Sequence, residues 1–321
     1  MPRSDLRLGD EVAAGAGGAG GAGGAEAGGG WTAAPRSAPL AELLAAPPGA
    51  ALRIHWLGQA GFVIDGAGRR VVIDPYLSDC LAEKYRGKPF DHQRMMPAPV
   101  RADEIRCVDM VVSTHAHTDH LDPGALPQLM AGNPTARLLA PEASREIALG
   151  RAGIGADRFI GIDAGGVVEM PGLRIVAVRA AHEALETDDA GRHRFLGYGI
   201  TLGDVTVFHS GDTVPFAGQL AEVAALGAAI ALLPVNGRRA ELAAAGVPGN
   251  LTMAEAVALV RGAGIPAMIG HHFDMFAFNT VPRAEVERAA LEAAPLCVMA
   301  ARVDRTYLPG RNNDGKRPRD E

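Results

Sequence analysis

Apolar residues gather into short runs separated by glycine and polar turns along most of the chain. Residues 52–57, 61–64 and 70–73 carry three such runs and read as strands, with Asp65-Gly66 as a hairpin signal. The period then changes. A strand over 108–113 leads to a helix over 123–131, a strand at 138–139 and a helix over 141–149. The succession recurs, with strands over 167–170, 173–178, 195–201 and 205–209. Helices over 216–226, 252–261 and 283–292 then alternate with strands over 229–233, 267–269 and 297–300. A meander followed by strand–helix alternation, twice over, predicts an α/β (α+β) fold of two similar halves. Their sheets pack face to face, and helices cover both outer faces.

The ends of the chain lack this pattern. Residues 11–30 hold ten glycines and seven alanines and have almost nothing to bury. Residues 1–50 therefore read as a flexible tail, with a short helix at 40–45 in the transition to the fold. One folded domain is expected over 51–308, followed by a polar, charged tail over 309–321.

The strand at 108–113 ends in Ser-Thr and runs into His115-Ala116-His117-Thr118-Asp119-His120. Imidazole and carboxylate together suit Zn, Mn or Fe. His115 and His117, two apart in an extended loop, can point to the same side, while Asp119 and His120 turn toward a neighbouring position. Asp122 before Pro123 is a plausible helix cap. Other ligand types also follow strands: His182 after 173–178, Asp212 after 205–209, and His271 and His272 after 267–269. Ser210-Gly211 ahead of Asp212 lets the backbone turn sharply and leaves the carboxylate at the strand end.

The run from His115 to His120 resembles the H-x-H-x-D-H signature of the metallo-β-lactamase fold. That resemblance implies a four-layer αββα sandwich and a two-cation centre, of Zn or Mn, with Fe also chemically suited. It implies one site of His115, His117 and His182, and a second of Asp119, His120 and the last histidine, with Asp212 shared. His272 is favoured as the last ligand because Phe273 follows it, and His271 is then left for the oxyanion side. Asp74, closing the strand at 70–73, matches an acid that supports the ligand loop without binding metal. His209 is expected to be structural.

Residues 55–62, Ile73-Asp74-Pro75-Tyr76, residues 90–97 and 273–276 further resemble the L-ascorbate-6-phosphate lactonase branch. The implied chemistry is a hydroxide held between two cations, oriented and deprotonated by Asp119, attacking an ester or lactone carbonyl. Basic residues then bear on the substrate. Lys84, Arg86, Lys88 and Arg94 precede the metal loop, and Arg238 lies beyond a strand end. Arginine forks suit phosphate or carboxylate. Arg94 and Arg238, with Asn236, are thus the expected contacts to an anionic, phosphorylated sugar-acid-like small molecule. A phosphodiesterase similar to the phospholipase D acting on N-acyl-phosphatidylethanolamine is the alternative, with Phe273, Met275, Phe276 and Phe278 as a hydrophobic entrance. A non-catalytic metal sensor is a third reading, disfavoured because every ligand position holds a competent residue.

Composition narrows the partners. A net charge of −6 gives no footprint for nucleic acid, which disfavours a ribonuclease. Three dispersed cysteines suggest a reducing, cytoplasmic setting without disulfides. No membrane span or signal peptide is expected, and a homo-oligomer is compatible with the sequence.

Overall fold

The computed structural model describes residues 30–310, so the expected tails over 1–29 and 311–321 lie outside the described residues. The first half comprises β1 (Trp31–Pro35), α1 (Leu40–Ala45), β2 (Arg53–Gly58), β3 (Gly61–Gly66), β4 (Arg69–Ile73), α2 (Cys80–Lys84), β5 (Met110–Val112), α3 (Leu126–Gly132), β6 (Arg137–Pro141), α4 (Arg145–Ala152) and β7 (Phe159–Ile162). The second comprises β8 (Val167–Met170), β9 (Leu173–Arg179), β10 (Leu196–Leu202), β11 (Val205–His209), α5 (Gln219–Ala225), β12 (Ile230–Pro234), α6 (Ala240–Ala243), α7 (Met253–Gly262), β13 (Ala267–His271), α8 (Arg283–Glu292), β14 (Cys297–Ala300) and β15 (Arg305–Pro309).

Two sheets result. One runs β1-β15-β2-β3-β4-β5-β6-β7 and the other β14-β13-β12-β11-β10-β9-β8. In each, an antiparallel meander passes into parallel strands: β4 to β7 in the first and β11 to β14 in the second. The near-continuous apolar runs of the first sheet are explained by burial on both faces. Phe62, Ile64, Val71, Ile73, Met110 and Val112 enter the core between the sheets. Their neighbours Val63, Val72 and Val111 point the other way, into a core shared with Leu40, Leu44, Leu126 and Leu129 of the helical layer. The two-residue period of the strand thus sorts one sequence run into two cores.

Three expectations need correction. The ordered fold does not start at residue 51. Trp31–Pro35 pairs in register with β15, from Trp31 opposite Pro309 to Pro35 opposite Arg305. Trp31 is buried in the inter-sheet core, so one large apolar side chain anchors a segment whose upstream neighbours are mostly Gly and Ala. The hairpin between β3 and β4 turns at Ala67-Gly68, not at Asp65-Gly66, since Gly66 pairs with Arg69. Ala67 and Gly68 hold φ of 49° and 71°, as a two-residue hairpin loop of this hand requires. Asp65 instead remains in the strand and forks onto the fully buried Arg70 at 2.8 and 2.7 Å. Third, the helix after the histidine loop begins at Leu126. Residues 123–125 form a turn capped by Asp122, which accepts from the amides of Gly124 and Ala125 at 2.8 and 3.3 Å.

Candidate metal centre

The parallel strands of both sheets discharge their loops at one edge of the sandwich. The loop after β5 carries His115 to His120, and Tyr198 of β10 donates to the Ser113 carbonyl at 3.0 Å, binding that loop to the opposite sheet. His182 follows β9 and Asp212 follows β11. Their loops are joined through Thr213, whose hydroxyl accepts from the Ala181 amide at 3.1 Å. Gly211 holds φ of 62°, and a Cβ there would stand 2.8 Å from the Leu196 carbonyl and 2.9 Å from the Thr114 side chain. The turn that presents Asp212 therefore needs glycine. His272 leaves β13 with φ of 67°, its amide donating to the Gln59 carbonyl at 3.1 Å.

Three overlapping sets of ligand atoms converge, each within 4.8 Å: His115, His117 and His182; His115, His120 and Asp212; and Asp119, His120 and His272. Asp212 Oδ2 lies 3.1 Å from His272 Nε2, 3.3 Å from His120 Nε2 and 3.8 Å from His182 Nε2. His115 Nε2, His120 Nε2 and Asp212 Oδ1 are buried without a hydrogen-bond partner. Buried polar atoms left unpaired are costly, and a ring of them facing one centre fits divalent cations.

The supporting contacts aim these atoms inward. Asp74 accepts from the Thr114 amide at 2.8 Å, the Thr114 hydroxyl at 2.7 Å and His120 Nδ1 at 2.7 Å. Because Thr114 gives its proton to Asp74, its oxygen is free to accept from His115 Nδ1 at 3.0 Å. Both imidazoles are thereby held in the tautomer that leaves Nε2 as a lone-pair donor. Burial and the neighbouring imidazoles hold His115 well below its ordinary pKa, and burial carries His182 down to about 4. For His120, burial is outweighed by Asp212, Asp74 and Asp119, which raise it well above the ordinary value. Asp212 is lowered because His272 and His120 outweigh its own burial. Carboxylates that pull a proton onto a buried imidazole mark a spot that calls for positive charge.

Several expected substrate contacts lie elsewhere. Arg94 does not line the cavity above the centre. Its guanidinium sits 4.8 Å over the Tyr76 ring and donates to the Met96 and Tyr76 carbonyls at 3.2 and 3.1 Å, bracing the segment before the metal loop. Arg238 is consumed by Glu255 at 2.5 Å and the Asn250 carbonyl at 2.8 Å, beside the capping box of α7. Asn236 is buried and donates to Asn279 at 3.0 Å, so it holds a residue that lines the cavity and does not line it itself. His271 also faces away, edge-on to Phe62 at 5.2 Å and stacked on His209 at 5.2 Å, in apolar surroundings that keep it well below its ordinary pKa. One residue turns a strand over, so His272 joins the cluster and His271 enters the core. Phe273 is likewise buried, against Trp56. His209 bonds the Ala60 carbonyl at 2.9 Å and accepts from the Gly211 amide at 3.0 Å, a structural tie.

Gln59 carries no ligand signal in its residue type. With φ of 50° at the β2–β3 turn, it sends its amide nitrogen to Asp119 Oδ2 at 2.9 Å and to within 3.1 Å of His272 Nε2. Asp122, expected as a cap, also accepts from the amides of Leu77 and Ser78 at 3.0 and 2.9 Å, fastening the metal loop to the segment before it. Phe195 packs 5.1 to 5.8 Å from the rings of His115, His182 and His117. The cavity over this centre measures about 800 Å3, and Gln59, His117, Asp119, His182, Asp212 and His272 form part of its lining.

The profile of the Beta-lactamase superfamily domain matches residues 69–273. The chain belongs to the β-lactamase superfamily. Superfamily relatives include a UPF0173 metal-dependent hydrolase of Hyperthermus butylicus, 31% identical over 191 residues, covering 57% of this chain and 71% of the relative. Another, from Aeropyrum pernix, is 29% identical over 201 residues, covering 58% and 71%. Among solved structures, the isothiocyanate hydrolase from Delia radicum gut bacteria superposes with a TM-score of 0.63 at 18% identity, covering 79% of this chain and 97% of that one. This superposition bears on the fold of the superfamily, two sheets faced by helices. Among the described residues no helix is long and apolar enough to cross a membrane.

Proposed function

We propose that this metal-dependent hydrolase of the β-lactamase superfamily cleaves an ester or lactone bond of an anionic small molecule. The observation that carries the reading is the convergence of His115, His117, His182, Asp119, His120 and His272 around Asp212 at one cavity. Two divalent cations, Zn or Mn, would be held by His115, His117 and His182 on one side and by Asp119, His120 and His272 on the other, with Asp212 between. When bound, they supply an acidified water and an electrophile for the oxygen that gains charge.

The chain's own residues position and move protons. Asp119 is kept ionised because His120 and His272, with the Gln59 amide, outweigh burial and the Asp212 charge. It can therefore accept a proton from a nucleophilic water at its free oxygen. Gln59 fixes the other oxygen at 2.9 Å, so the carboxylate cannot swing away. Phe195 excludes water behind the three histidines of the first set. Arg94 lies outside the cavity lining and Arg238 is held by Glu255, so the anion is met by Lys84 and Lys88, which line the cavity. A cavity of this size suits a small molecule.

The test combines metal analysis with an assay. Protein purified without chelator should carry about two equivalents of divalent metal by mass spectrometry. It should hydrolyse an anionic lactone or ester, either a phosphorylated sugar-acid lactone or an aryl ester bearing a carboxylate, and leave bis(p-nitrophenyl) phosphate intact, and Asp119→Asn should abolish the activity. Turnover of the diester alone would shift the assignment to a phosphodiesterase. Metal-loaded protein that hydrolyses none of these compounds would refute this reading.

A further inference from the structure

One wall of the cavity is built from rings that take no part in metal binding. Tyr85, Phe90, His92, Phe276 and Phe278 line it. His92 lies flat on Tyr85 with centroids 4.2 Å apart, and meets Phe276 and Phe278 edge-on at 4.9 and 4.8 Å. Phe90 stands 5.3 Å from Phe278, and Phe276 and Phe278 are parallel within 9° at 5.8 Å. His92 is pinned by Nδ1, 2.7 Å from the Phe90 carbonyl, and burial lowers its pKa, so the ring meets the cavity uncharged at neutral pH. Geometry of this kind presents a rigid apolar surface to a flat partner.

The charges around the wall are unequal. The chain has three lysines, and two of them, Lys84 and Lys88, stand here with their amino groups 5.2 and 5.4 Å from the Tyr85 centroid. Both are exposed, and neither forms a salt bridge among the described residues. Arg151, the one arginine of the lining, is held at the metal loop instead, donating to the Ala116 and Leu121 carbonyls at 2.6 and 3.2 Å. Glu183 and Glu186 line the cavity as well, and Asp119 and Asp212 lie at the centre. An anion entering is therefore drawn to the aromatic side by charge.

We infer that this wall is a substrate subsite for a planar, aromatic or conjugated group bearing an anionic substituent. The flat group packs against this wall, face to face with one ring and edge-on to its neighbours, because Tyr85 and His92 are inclined by 23° and His92 and Phe278 by 65°. Lys84 and Lys88 meet the anion, and the bond to be cleaved extends toward Asp119. The inference rests on the same cavity as the proposed hydrolase and narrows its substrate class from an anionic small molecule to an aryl-bearing one.

Calorimetric titration of the full-length, metal-loaded protein with naphthalene-2-sulfonate tests it, since sulfonate is a poor metal ligand. Methanesulfonate supplies the anion without the ring, and 2-naphthol supplies the ring without the strong anion. Naphthalene-2-sulfonate should bind at least about tenfold tighter than methanesulfonate. The exposed double variant Lys84→Gln/Lys88→Gln should weaken the sulfonate about three- to tenfold and leave 2-naphthol unchanged. Tyr85→Ala should weaken both naphthyl compounds. None of these variants should change metal content, because none touches a ligand. Equal binding of the two sulfonates, or naphthyl binding indifferent to Tyr85→Ala, overturns the subsite. Hydrolysis retained without naphthyl binding removes the subsite alone. Naphthyl binding by protein that takes up no divalent metal even on supplementation removes the hydrolase reading and leaves the subsite standing.

Discussion

Gln59 and Asp74 both touch the centre's ligands, but their substitution should have different consequences. Asp74 holds His120 Nδ1 and the Thr114 hydroxyl, each at 2.7 Å, and so sets the tautomers of two imidazoles. Asp74→Asn keeps the shape and loses the charge. It should lower metal affinity about 10- to 100-fold, read by competition with a chelating dye. Gln59 holds the Asp119 carboxylate at 2.9 Å and comes within 3.1 Å of His272 Nε2, but it holds no imidazole at Nδ1 as Asp74 does. Gln59→Ala should leave metal content near wild type while turnover falls about tenfold, read by parallel metal analysis and initial rates. Affinity loss in the Gln59 variant equal to that of Asp74→Asn would mean that both act merely as props. The histidine cluster was legible because ligand types within six residues are a local signal. Gln59 was not, because a glutamine in a turn has no ligand signature until hairpin register and positive φ bring it beside Asp119. The arginines misled for a related reason. A guanidinium forks as well onto backbone carbonyls or a carboxylate as onto a substrate, and only packing shows which it has found.

At the scale of elements, the long periodic segments were readable and the edges were not. Strands at 167–170, 205–209 and 297–300 fall where the apolar pattern places them, because both faces of a strand and its flanking turns leave a trace in sequence. β1 left almost none. Five residues containing one tryptophan and two alanines gain their strand identity from β15, about 270 residues away in sequence. The pairing makes a direct prediction. If residues 31–35 were tail, Trp31→Ala would be neutral. Since Trp31 fills the inter-sheet core at the edge of β15, truncation should cost about 3–5 kcal/mol, measured by urea denaturation with unchanged slope. A loss below about 0.5 kcal/mol would show that β1 does not contribute to the fold.

Across the whole molecule, histidine is concentrated inside the fold, and this couples stability to pH. Burial lowers His55 to about 4, with Asp65 opposing and the surrounding arginines adding to the shift. His55 lies far along the chain from the ligand loops, its Nδ1 3.4 Å from the Thr306 hydroxyl of β15. In the unfolded chain an imidazole takes up its proton near pH 6.5, about the ordinary value. In the folded chain His55 stays neutral until about pH 4. Between those values the unfolded state binds the extra proton, so stability is fully present above about 6.5 and falls as the pH falls toward 4. His115, His182, His209 and His271 are shifted in the same direction and add to the acid loss. His120 is raised and acts with the opposite sign, giving stability at low pH that fades as the pH rises. Chelator-treated protein should therefore lose stability steadily from pH 6.5 to 4 in urea titrations. His55→Gln should remove about one proton from that slope, worth on the order of 3 kcal/mol across the window. An unchanged slope in His55→Gln would show that His55 titrates alike in both states and that its burial is not what makes the fold acid-sensitive.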